Sequence, residues 1–85
     1  MNRTVAVTAT GTVDAGVGEV FSVHMKGGAD AATAVWRTGG SGGTVIAALG
    51  CAANTSVNHR FAGGIPYSNL HVTVTGTTPN VITEL

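Results

Sequence analysis

The sequence predicts a small all-β protein: one antiparallel β-sandwich or barrel of about seven short strands, with residues 1–85 forming a single domain. Three observations lead there. Apolar and polar residues alternate with a period of two over several short runs. Breaks rich in Gly, Asn and Pro separate these runs roughly every 8 to 12 residues, the spacing of sandwich and barrel strands. No stretch shows the 3.6-residue period of a helix.

The first run is Val5 to Thr10, with Val5, Val7 and Ala9 on one face and Ala6, Thr8 and Thr10 on the other. Gly11 to Gly18 carries three glycines and predicts a turn or bulged connection. Alternation resumes from Glu19 to Lys26, where Phe21, Val23 and Met25 are expected in the core and Val20, Ser22, His24 and Lys26 outside it. After Gly27-Gly28-Ala29-Asp30 comes the central pair of strands. Ala32 to Arg37 and Thr44 to Leu49 flank the glycine-rich Thr38 to Gly43, whose glycines reach φ > 0 at little steric cost. In the second of these strands Val45, Ala47 and Leu49 oppose Ile46 and Ala48. Both faces are apolar, the pattern of a strand covered on two sides, and in so small a domain the second cover can be another chain. Val57, His59 and Phe61 alternate before Ala62-Gly63-Gly64, and Pro66 excludes a central ladder position at its own amide. Leu70, Val72 and Val74 point inward and His71, Thr73 and Thr75 outward in the clearest strand, and Gly76 to Asn80 turns the chain into a last strand, Val81 to Leu85.

Charged residues make up 9% of the chain against about 25% in a typical soluble domain, and four Lys plus Arg balance four Asp plus Glu. A zero net charge weakens colloidal repulsion, and a chain of this size buries only about 60–65% of its unfolded surface, so its core is thin. These deficits predict a subunit that associates with others. Trp36, Val45, Ile46, Leu49 and Tyr67 are the expected interface residues, with Trp36, the single Trp, as the large aromatic anchor of a subunit contact. Arg3, Lys26, Arg37 and Arg60 are scattered and not interleaved with aromatic residues, so no nucleic-acid partner is expected. No apolar run approaches the ~20 residues of a membrane span, and Met1 to Thr4 leads into alternation and not into a signal-peptide segment, so neither membrane insertion nor secretion is expected.

Reactive residues form no recognisable constellation. His24, His59 and His71 lack metal-ligand spacing, and Cys51, the single cysteine, cannot form a disulfide within the chain. Asp14, Glu19, Asp30 and Glu84 lie in or beside expected loops, without an apolar pocket to shift them toward acid–base work. Gly40-Ser41-Gly42 lacks the full nucleophile elbow, and Thr38 to Gly43 ends without the Lys and helix of a phosphate cradle. The expectation is a protein that is not an enzyme and takes no cofactor or metal.

The ordered pattern Thr10-Gly11, Val20-Phe21-Ser22-Val23, Gly27-Gly28 with Ala31 to Ala34, Thr38-Gly39, Gly43 to Ala47 and Asn69 to Thr77 resembles the small β-sandwich virion proteins of tailed bacteriophages. What the resemblance implies is a virion structural protein, a capsid decoration (cement) protein whose partner is the major capsid protein. It further implies a homo-oligomer, a trimer on threefold capsid positions. The alternative from a different class is a carbohydrate- or receptor-binding module of a fibre or tail, in which Trp36 and Tyr67 would be exposed and stack on a sugar.

Overall fold

The clean alternation of Leu70 to Thr75 places this run at the middle of the molecule. In the computed structural model, which describes residues 3–85, it is the end of a long strand with partners on both sides. Six strands form: β1 (Thr4–Val7), β2 (Gly11–Lys26), β3 (Ala32–Thr38), β4 (Thr44–Cys51), β5 (Ser56–Thr75) and β6 (Asn80–Glu84). They pair in the order β1-β6-β2-β5-β3-β4, every pair antiparallel. The all-β antiparallel class is as the sequence predicts.

The strand number differs, and the reason is physical. The glycine-rich stretches Gly11 to Gly18 and Ala62 to Gly64, read as connections, lie inside β2 and β5 as bulges. Between the pairs Val20↔Ile65 and Ser22↔Arg60, β5 places Phe61 to Gly64 opposite Phe21 alone. Gly63 and Gly64 take φ of 81° and 79° there, a left-handed conformation that glycine adopts without a Cβ clash. This excursion also changes which residue points inward. Val20 is fully buried, Ser22 is buried and Phe21 is 38% exposed, the reverse of the expected assignment, whereas Val23 and Met25 are core as expected. Uninterrupted alternation was the wrong rule at this one step, because a bulge resets the period.

The sheet curls strongly. Strands β6 and β3 are separated by β2 and β5, about 14 Å apart if the sheet were flat. Yet the Trp36 indole on β3 donates a 2.8 Å hydrogen bond to the Thr83 hydroxyl on β6. The outer half of β2 (Ser22 to Lys26), paired with β6 and with the start of β5, therefore folds over the half built by β3 and the end of β5. Val20, Val23, Met25, Ala34, Trp36, Leu70, Val72 and Val81 fill the space between. Across β3 and β5, Trp36 sits opposite Val72, so the inward register of Leu70 and Val72 agrees with the sequence reading.

Candidate functional site

Strand β4 ends the sheet, and its outer edge has no partner strand among the described residues. Its register against β3 shifts between Trp36 and Arg37, so Ile46 is an inserted residue between Ala47, opposite Trp36, and Val45, opposite Arg37. That bulge explains the doubly apolar sequence. Ile46, Ala47, Leu49 and Cys51 all pack on the core, while Val45 (51% exposed), Ala48 and Gly50 face outward. Of the expected interface residues, Val45 is on the surface, Ile46 and Leu49 are half-buried, and all three share the edge strand.

Trp36 and Tyr67 are buried, but within their own chain and not at the expected subunit contact. Trp36 is completely enclosed by its own chain, and Tyr67 is buried under the β2–β5 corner. A large aromatic in a thin core fills the interior of the monomer before it can serve a partner. Neither ring offers a face for sugar stacking or for a subunit contact. The Tyr67 hydroxyl donates a 2.5 Å bond to Asp14, which also accepts from the Gly16 amide and pairs with Arg3 at 3.1 Å. The Tyr67 bond, the Gly16 amide and Arg3 together hold the Asp14 carboxyl below its ordinary value. Burial, reinforced by the Asp14 carboxylate, pushes the Tyr67 phenol up to about 12.

A second cluster joins residues that are distant in sequence. Ser22 and His24 project from the same side of β2, and the β2–β6 register sets Ser22 opposite Glu84. The Ser22 hydroxyl donates to Glu84 Oε1, and His24 Nε2 lies 3.1 Å from both that oxygen and Ser22 Oγ. These contacts, Ser22 first, hold Glu84 below its ordinary value. A serine, a histidine and a carboxylate are present, but the wiring is not that of a nucleophile relay. A relay needs the acid on one imidazole nitrogen and the serine on the other, whereas here one nitrogen meets both. Ser22, only 3% exposed, is a link in a structural network. The sequence reading missed the cluster because Glu84 reaches it only through strand pairing. The i, i+2 spacing of Ser22 and His24 on an alternating strand was its one local signal.

The face bearing this cluster is polar. Across three neighbouring strands, Ser56, Lys26 and Asn80 form one row and Asn58, His24 and Ile82 the next. A third row holds Arg60, Ser22 and Glu84. An open cavity of about 320 Å³ lies over the first two rows. His59 and His71 do not join His24: His59 packs against Phe61 with the rings tilted by 53° and their centroids 4.8 Å apart, and His71 lies opposite Arg37 on the other half of the sheet. No group of three or more His, Cys, Asp or Glu side chains suited to a metal ion occurs among the described residues. Among the described residues, no helix is long and apolar enough to cross a membrane.

No protein-family model matches this chain, and no curated protein matches it in sequence. In three dimensions it is similar to a solved structure of Bacillus endospore appendages, described as a family of disulfide-linked pili. That likeness covers 99% of this chain and 84% of the other at 17% identity, with a TM-score of 0.54, and what it shows is a shared β fold.

Proposed function

We propose that the protein is a structural subunit that works by joining other subunits through the free edge of β4, and that its setting is a virion shell, where it acts as a capsid decoration protein. The observation that carries the reading is the edge itself. Soluble proteins guard an exposed edge with Lys, Pro, an inward-pointing charge or a bulge; Thr44–Cys51 has the Ile46 bulge but no charge and no Pro. Val45 and Ala48 stand exposed beside its unpaired backbone groups. The opposite end of the sheet, β1 (TVAV), is equally uncharged. Pairing β4 of one copy with β1 of the next is heterologous. It closes a ring, a trimer in the decoration reading, when the rotation between copies closes, and it gives a filament when it does not.

The second reading, a filament subunit, is favoured by the structural likeness to an appendage protein. In that reading the contacts are non-covalent, because Cys51 is the single cysteine of these 85 residues and one thiol links at most one pair of chains. Co-sedimentation with capsids and negative-stain microscopy of concentrated protein separate the two settings. Saturable capsid binding by wild type that is lost in Val45→Lys supports decoration. Filaments without capsid binding support the second reading, and a protein that does neither overturns both.

A further inference from the structure

Charge is unevenly spread over this neutral molecule. Lys26 and Arg60 project from the outward face of β2 and β5, with His24 between their rows, and the one carboxylate on the face is Glu84. Glu84 already accepts from Ser22 and His24, whereas Lys26 has no ion-pair partner among the described residues. Above Lys26 and His24 lies the 320 Å³ cavity, lined also by Ser56, Asn58 and Asn80 and by the apolar Met25, Val57 and Ile82. Its volume is at the lower end of the roughly 300–1,000 Å³ range of small-ligand pockets. Two rows on three strands measure about 10 Å by 7 Å, the footprint of one substituted ring and too short for an extended peptide.

The chemistry of the lining matches such a ring. Each Asn amide offers two donors and an acceptor lobe and the Ser56 hydroxyl offers both roles, which suits adjacent hydroxyl groups. The exposed Lys26 ammonium suits a carboxylate, and Ile82 supplies an apolar floor for C–H groups. We propose that this cavity binds an acidic sugar unit, with Lys26 on the carboxylate and Asn58, Asn80 and Ser56 on the hydroxyls. This site lies on β2, β5 and β6 and uses no side chain of β4.

The test is a titration of ¹⁵N-labelled protein at low ionic strength with glucuronate, glucose and a short polyaspartate peptide. Glucuronate is expected to shift the amides of Lys26, Ser56, Asn58 and Asn80 in a saturable way, and glucose to bind about two- to fivefold more weakly, the size of an exposed ion pair. Lys26→Gln should weaken glucuronate binding by a similar factor while Lys26→Arg retains most of it. Lys26 is exposed, so both variants should stay folded. Absence of shifts at these amides, equal affinity for glucose, or tighter binding of the peptide with shifts running on to Arg60 and Ser22 would overturn the proposal.

Discussion

Trp36 ties the two halves of the sheet together twice over, by filling the space between them and by its bond to Thr83, itself 1% exposed. Because the ring is enclosed by its own chain, its fluorescence emission should be that of a buried indole at the lowest measurable concentration. It should not change on assembly, and should shift to the red only on unfolding. Trp36→Phe keeps most of the volume but leaves the Thr83 hydroxyl without its donor, at a cost of about 1–3 kcal/mol readable in urea unfolding. The charged networks act in the same way on pH. Asp14, Asp30 and Glu84 all have carboxyls held below their ordinary values, by Tyr67, by the Thr77 amide and by Ser22 respectively. Such a group stabilises the fold above its unfolded pKa and loses that contribution as pH falls through its folded one. The melting temperature should therefore fall as pH drops below the ordinary values of 4.5 for Glu84 and 3.8 for the aspartates. In Tyr67→Phe the acid-induced loss should be smaller, because Asp14 then titrates nearer its unfolded value.

The strands show where sequence reasoning works and where it stops. Within one uninterrupted run, as at Leu70 to Val74, alternation alone identifies the buried face, and Val72→Ala should cost about 2–4 kcal/mol while His71→Ala costs much less. The glycine stretches in β2 and β5 were legible as departures from regular pairing. Turn and bulge share the same residues, however, and only the partner strand's register tells them apart. The bulge at Phe61 to Gly64 makes a sharp case. Val20→Ser should unfold or severely destabilise the protein, whereas Phe21→Ser should move the melting temperature by only a few degrees. The reverse order would restore unbroken alternation from Glu19 to Lys26. The Ser22–His24–Glu84 network and the cavity over Lys26 are products of three-strand pairing, so their residues were visible in the sequence and their proximity was not.

At the scale of the whole molecule, an 85-residue chain has spent its one Trp and most of its larger apolar residues on its own interior. What remains for partners is backbone along β4 with Val45 and small apolar side chains beside it and, on β2, the exposed Val17 and Phe21. Association of this kind draws on main-chain hydrogen bonds more than on buried area, and a single charge on the edge opposes it. The most direct test is light scattering of the wild type and of Val45→Lys/Ala48→Lys over a wide concentration range, with melting temperatures measured in parallel. Both substitutions are on exposed outward positions and should leave the fold intact. Assembly through the β4 edge predicts a wild-type mass that rises with concentration toward a threefold multiple or an open-ended series, and a variant that stays at the monomer mass with a similar melting temperature. A wild type that remains monomeric throughout, or a variant that assembles as the wild type does, would contradict it.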